Sequence, residues 1–263
     1  MAGGEVGQHQ EEILTSLRRR ISGLERELDE RGEQSISTGS DCLDACLPAA
    51  GLVSGAMHEW VEQTGVGGGG DWLSLLAARQ ALEVNRQGHL VVLDLAGTFY
   101  PPAALALGLE AGRIIVLRPA NRADGLWAID QALRSPAVAA VWGRLDSLDD
   151  REARRLQLAA EVGNTLGLWT RPQAALRAPS WAETRWLVRG LGGGAEEEQS
   201  QRRLEVRLVR CRGGQTGRKF VLEIDSRGRV RDASSHNETA AMPLVAQLAN
   251  PAVARQRPQR RLA

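Results

Sequence analysis

From residue 56 onward, short apolar runs alternate with longer segments in which apolar residues recur every three or four positions. The runs are AMHEWV (56–61), GHLVVLDL (88–95), RIIVLRP (113–119), AVAAVWGRL (137–145), TLGLWTRP (165–172) and TRWLVRGL (184–191). Helical periodicity falls between them, at 72–86, after the prolines of YPPAALALGL, at 122–134 through Leu126, Ile129 and Leu133, and in LDDREARRLQLAAEVG. Near-continuous apolar strands separated by helices of 12–15 residues predict an α/β fold. Its sheet is mostly parallel and covered on both faces, in three layers.

Two segments break this rhythm. Residues 203–211 alternate almost strictly, with Leu204, Val206, Leu208 and Cys211 against Arg203, Glu205, Arg207 and Arg210, then a glycine-rich turn and KFVLEI follow. That pattern predicts an antiparallel hairpin with one arginine-lined face. At the other end, Leu14, Leu17, Ile21, Leu24 and Leu28 are spaced 3, 4, 3 and 4 apart, a single apolar helix stripe. It fits a helix on its own domain or one docking on a partner or a second copy. The chain therefore divides into an N-terminal helix and linker (1–35), a core with its hairpin (36–231) and a basic, disordered tail (232–263).

Composition narrows the class. At 263 residues, 43% hydrophobic and 25% charged, the chain is an ordinary globular one. No apolar run approaches the ~20 residues of a membrane span, and the N-terminus has no secretory pattern. Cys42, Cys46 and Cys211 lack zinc spacing and read as reduced thiols of a cytoplasmic protein. The net charge of +1 hides an asymmetry: residues 1–201 hold 19 basic and 27 acidic side chains, residues 202–263 hold 14 and 5. The sums, −8 and +9, place any polyanion contact in the last quarter. Lys219 is the only lysine.

Between the first apolar run and the helix after it lie five glycines in six residues: Gly65, Gly67, Gly68, Gly69 and Gly70, followed by Asp71. Strand, glycine loop and helix form the layout of a P-loop, G-x-x-x-x-G-K-[ST], whose lysine reaches the phosphates and whose hydroxyl ligates Mg²⁺. Counting back from LSLL places Gly69, Gly70 and Asp71 where glycine, lysine and threonine belong, and no shift of register supplies a lysine. An aspartate against a phosphate 4 Å away repels by roughly 4 kcal/mol at an effective dielectric near 20. The loop therefore reads as vestigial, with no cofactor. Elsewhere His58 on its core strand reads as a satisfied buried side chain, and the acids of DSLDD (146–150) as helix caps.

The order and wording of these segments resemble the RecA-like recombinase core, notably ISTGSDCLDACLPAAGLVSGAMHEWVE and GHLVVLDLAGTFYPPAALALGLEAGRIIVLRPAN. More narrowly, SPAVAAVWGRLDSLDDREARRLQLAAEVGNTLGLWTRP, WAETRWLVRG and RRLEVRLVRCRGGQTGRKFVLE are similar to the ImuA family of bacterial mutagenic repair. SulA-type division inhibitors share parts of the same core. The resemblance implies a RecA-like fold and a non-catalytic accessory role in SOS-type, error-prone translesion synthesis. Implied partners are an ImuB-like inactive Y-family polymerase homologue and an error-prone replicative-type polymerase, with RecA, self-association and single-stranded DNA as further candidates. It also implies two further losses: Ala96 stands where recombinases keep a water-positioning glutamate, and Gly143 and Arg144 where a Mg²⁺ carboxylate ends the fourth strand. By position, residues 171–183 match a DNA-contacting loop, with Arg171 and Arg177. With Arg207, Arg210, Arg212, Arg218 and Lys219 of the hairpin, these make the expected DNA or partner surface. Two alternatives stay open, a recombinase-paralogue ATPase with an unusual loop and a SulA-like division inhibitor.

Overall fold

The computed structural model describes residues 35–63, 68–191, 202–225 and 229–233. The expected N-terminal helix with its leucine stripe, Gly65 and Gly67, and the tail beyond residue 233 lie outside these residues.

The chain enters through a small antiparallel pair, β1 (Ser35–Ile36) and β2 (Leu52–Val53), joined by the short helix α1 (Asp41–Asp44). Asp44 ties this entry together, accepting hydrogen bonds from Ser37 Oγ at 2.6 Å, Thr38 N at 2.8 Å and Thr38 Oγ1 at 2.7 Å. The core then alternates strand and helix: β3 (Met57–Glu62), α2 (Gly69–Val84), β4 (His89–Leu93), α3 (Pro101–Ala106), β5 (Ile114–Leu117), α4 (Arg122–Arg134), β6 (Val138–Arg144), α5 (Asp150–Gly163), β7 (Leu166–Pro172) and β8 (Thr184–Leu191). Three more strands close the described chain, β9 (Arg202–Cys211), β10 (Lys219–Ile224) and β11 (Val230–Asp232).

All but the entry pair join one nine-stranded sheet in the order β11-β10-β9-β8-β3-β7-β6-β4-β5. The pairings from β8 through β5 are parallel, and those from β8 out to β11 are antiparallel. This is the expected α/β architecture with its C-terminal hairpin. β11 is an addition, and it carries Asp232 into the sheet, where the pattern had begun the tail. Three residues are too few for alternation to register.

The sheet separates two cores. On one face α2 buries Leu73, Leu76 and Ala77 against Trp60, Trp186, Val206 and Leu222. On the other, α4 and α5 bury Ile129, Leu133 and Leu156 against Val141 and Trp169. Helix α5 starts as the acids predict, with a capping box in which Asp149 accepts from Glu152 N and Glu152 from Asp149 N. Helix α2 starts three residues earlier than its apolar pattern, inside the glycine run. Glycine suits this close approach: a Cβ on Gly69 would come within 2.7 Å of the Leu204 Cδ2 end, and one on Gly70 within 3.1 Å of Glu62 Cγ, so those side chains would have to give way.

His58 is fully buried on β3, with Nδ1 2.8 Å from Thr184 Oγ1 and Nε2 3.0 Å from the Val53 carbonyl. Burial lowers its pKa from 6.5 to about 4. Its neutral form is the folded form, so the unfolded chain binds one more proton between those values. Stability is then fully present above pH 6.5 and lost as pH falls toward 4, by about 3 kcal/mol for a shift of this size. Urea melts across this range should show that slope in the parent and a flatter one in His58→Gln.

Candidate functional site

The carboxyl ends of β4, β5 and β6 open onto a cavity of about 670 Å³, floored by the first turn of α2 and walled by the loop after β4. Open α/β sheets bind their ligands at this edge. At its glycine end, however, the chain supplies its own anion. Glu62, the last residue of β3, turns its carboxylate onto the start of α2, where Oε1 accepts from Gly68 N at 2.9 Å and from Gly70 N at 3.1 Å. A helix N-terminus presents unpaired N–H groups and a positive dipole end, which is what a phosphate or a carboxylate satisfies. Gly68, with φ of +94°, sets the amide directions.

Asp71 is the next residue in this turn, and here the expectation of a bare negative charge needs correcting. Arg144, at the end of β6, reaches back across the sheet edge and pairs with it through Nε to Oδ1 at 3.1 Å and Nη2 to Oδ2. That hydrogen bond raises the Arg144 pKa, against the effect of burial. The aspartate and the arginine that the P-loop reading of the sequence singled out therefore neutralise each other. Both departures were visible in the sequence, but 73 residues separate the partners and only the fold shows that they meet.

The remaining charged groups of the cavity are mostly engaged as well. Asp94, at the end of β4, is buried and accepts from Thr98 N at 2.8 Å, Phe99 N at 3.1 Å and Arg118 Nε at 3.0 Å. Burial pushes its carboxyl up, but these three donors outweigh it and its pKa lies below the ordinary value. Arg122 grips both oxygens of Glu152 at 2.6 Å, a bidentate bond that holds the Glu152 carboxyl below its usual range. Ala96 lines the wall with only a methyl group, which offers no polar atom to position a ligand.

The expected DNA surface is only partly at the surface. Arg171 is 3% exposed: its Nη1 bonds Glu59 Oε1 at 2.8 Å and its Nε the Leu145 carbonyl at 3.2 Å. Arg185 Nε reaches the other Glu59 oxygen at 2.5 Å, and Ser180 Oγ the same oxygen at 3.0 Å. The segment after β7 is thus pinned to β3 by a buried two-arginine, one-glutamate cluster, and Arg171 holds it there rather than contacting a phosphate. Arg177 stays exposed at the end of a 3₁₀ turn. Trp186 is fully buried core, and Trp181 is half-buried, donating to Asp150 at 2.7 Å beneath the Arg154 guanidinium.

On the hairpin, cation and carboxylate alternate. Glu205 of β9 accepts from Arg189 at 2.6 Å and pairs with Lys219 at 2.7 Å, while Arg203 pairs with Glu223 at 3.3 Å. Burial alone pushes the Glu205 carboxyl up, but the Lys219 and Arg189 bonds bring its pKa below the ordinary value. Arg212 lies 3.7 Å from Glu183, and Arg210 Nε donates to the Ala182 carbonyl at 3.0 Å. Arg207 is exposed and has no carboxylate partner among the described residues; Arg218 lies over the Phe220 ring at 5.5 Å. Arg207 and Arg218, with Arg210 and with Arg202 at the start of β9, therefore carry the hairpin charge that has no carboxylate partner among the described residues. Cys42, Cys46 and Cys211 are unpaired and half-buried, and burial pushes all three thiols up, Cys46 to about 11. Among the described residues no metal-ligating cluster forms, and no helix is long and apolar enough to cross a membrane.

Comparison with known proteins agrees with this geometry. Over 210 residues the chain is 29% identical to Protein ImuA of Caulobacter vibrioides, covering 73% of this chain and 84% of that one. Shorter matches reach the cell division inhibitor SulA of Edwardsiella piscicida, 37% identical over 68 residues (26% of this chain, 40% of that one), and of Photorhabdus laumondii, 37% over 78 residues (30% and 44%). No family model matches. Among solved structures, the RadB recombinase superposes with a TM-score of 0.55 at 17% identity, covering 75% of this chain and 99% of that one. The fold is RecA-like, and the resemblance to the ImuA family is shown.

Removing one partner of a buried ion cluster leaves uncompensated charge, at a cost of roughly 3–5 kcal/mol. Glu59→Gln should therefore lower stability by about that amount, and Arg171→Met should cost less because Arg185 still faces Glu59. Chemical denaturation of both variants checks the order.

Proposed function

We propose that this ImuA-like chain is a non-catalytic RecA-like accessory protein of an SOS-type DNA damage response. On this reading it is a scaffold that supports error-prone translesion synthesis. The observation that carries it is the Glu62 carboxylate on the Gly68 and Gly70 amides, backed by the Asp71–Arg144 pair. A triphosphate would have to displace a carboxylate already bonded to the loop and break an internal ion pair, with no lysine at the loop to repay either. The lost water-positioning and metal-binding carboxylates, at Ala96 and Gly143, point the same way. With chemistry absent, what the fold offers is surface.

The resemblance to ImuA supports association with a mutagenic polymerase complex: an inactive Y-family homologue of the ImuB kind and an error-prone replicative-type polymerase, in the cytoplasm. RecA and single-stranded DNA are the further partners this reading admits. Phosphate backbones are held by charge that is not already neutralised. On the hairpin that description fits Arg207 and Arg218 better than Lys219 or Arg212, whose carboxylates are near. The short SulA matches favour one competing reading, a division inhibitor. Filamentation of cells on overexpression, with unchanged damage-induced mutagenesis in a deletion strain, would support it instead.

Two measurements test the proposal. Calorimetry with ATP and Mg²⁺ should show no binding below millimolar, and a micromolar dissociation constant lost on replacing Gly70 would overturn it. If the hairpin reads phosphate, Arg207→Ala with Arg218→Ala should flatten the salt slope of single-stranded DNA binding by about 1.4–1.8, at roughly 0.7–0.9 per contact. Lys219→Ala should change it less. Fluorescence anisotropy at several salt concentrations separates the two, and an unchanged double variant that no longer recovers the polymerases would assign this face to protein.

A further inference from the structure

The cavity has a second end that the glycine loop does not use. Four of the chain's ten aromatic residues line it, Trp72, Phe99, Tyr100 and Trp142. Phe99 and Trp142 form a tilted pair with ring centres 5.7 Å apart, and the Trp142 N–H is already spent on Ser74 Oγ at 2.8 Å. Tyr100, 68% exposed, stands in the loop that walls the cavity. Rigid aromatic rings with one polar tip are what protein-recognition surfaces are enriched in.

The charges around these rings say what would fit. Asp71, Asp94, Arg122 and Arg144 are all neutralised internally. Two of the lining charges have no ion-pair partner among the described residues: Arg202, which comes in from β9 over the Trp72 ring at 5.0 Å, and Asp146, which follows β6. A free cation from β9 and a free carboxylate from the loop after β6 select a ligand with an apolar middle and opposite polarity at its two sides. A triphosphate does not match, because the amides that would hold it carry Glu62. A purely apolar ligand would leave both charges unanswered.

We propose that this cavity receives an aromatic side chain of a partner peptide, with an acidic neighbour of that residue on Arg202 and a backbone amide on Asp146. The volume, about 670 Å³, lies within the range of sites that enclose such groups. The inference rests on the reading above that the glycine end takes no nucleotide.

Titration of the full chain with four probes by ligand-observed NMR tests it: N-acetyl-aspartyl-tryptophanamide, its lysyl counterpart, adenosine and ATP with Mg²⁺. The aspartyl probe should bind about fivefold more tightly than the lysyl one, as a single half-exposed ion pair allows. Arg202→Ala should erase that difference while leaving the tryptophan bound. Ala96→Trp, on the exposed wall, should abolish binding without changing the thermal melt, and Ala103→Trp, on α3, should do the same if the first variant disturbs the loop. Adenosine binding with silent tryptophan probes would make the cavity a base site and overturn the proposal, as would probe binding that both blocking variants leave intact. Silence of the tryptophan probes and of ATP would overturn this inference alone. Micromolar ATP binding would take down the nucleotide-free reading beneath it.

Discussion

The start of α2 cannot be left unsatisfied. Its glycines bring the helix into close contact with β3, β7, β8 and β9, and this places amide N–H groups at the edge of the central sheet. Glu62 answers two of them, from the strand that leads into the loop. The carboxylate is local and covalently tethered. A free anion at ordinary concentration competes poorly against such a neighbour, because its binding must also meet the entropy of association. The packing of α2 over Trp60 and Trp186 thus depends on a contact internal to the chain.

The same logic runs through the other charges at this edge. Asp71 with Arg144, Asp94 with Arg118 and Glu152 with Arg122 are each pairs between different elements, and each joins a loop or helix end to a neighbour. Exposed pairs of this kind add little stability singly. Their effect is positional: they tie the loops after β4, β5 and β6 to neighbouring elements. Deeper in the fold, Glu59 with Arg171 and Arg185 does this for the segment after β7, at a larger desolvation cost and with correspondingly more to lose if one partner is removed.

Much of this architecture was legible in the sequence. Strand and helix alternation fixes the layers, because a buried parallel strand has to be apolar on both faces, and almost strict alternation over 203–211 marks the half-exposed hairpin. The capping acids before α5 and the buried neutral His58 also follow from local chemistry. What stayed hidden is long-range. Arg171 looks like any loop arginine until β3 brings Glu59 beside it, 112 residues away in the chain. Arg144 reads as a lost metal ligand until Asp71 is placed opposite. Glu62 was the most accessible of the missed residues: an acid at the end of a strand, six residues before the first helix amide it binds. Residue type gives a prior for exposure, and paired charges defeat it.

Strand β9 links the two candidate surfaces. Its even positions, Leu204, Val206 and Leu208, face the α2 core, and Arg202 at the head of this series reaches the cavity; its odd positions, Arg203, Glu205 and Arg207, face away from α2. The cavity and Arg207 therefore lie on opposite sides of one continuous sheet, whereas Arg218 packs on Phe220, on the α2 side. Occupation of one does not obstruct the other, while the strand holds them at a fixed separation. A partner seated on Arg202 and a polyanion or second partner on Arg207 would be brought together by geometry alone, without any change of shape.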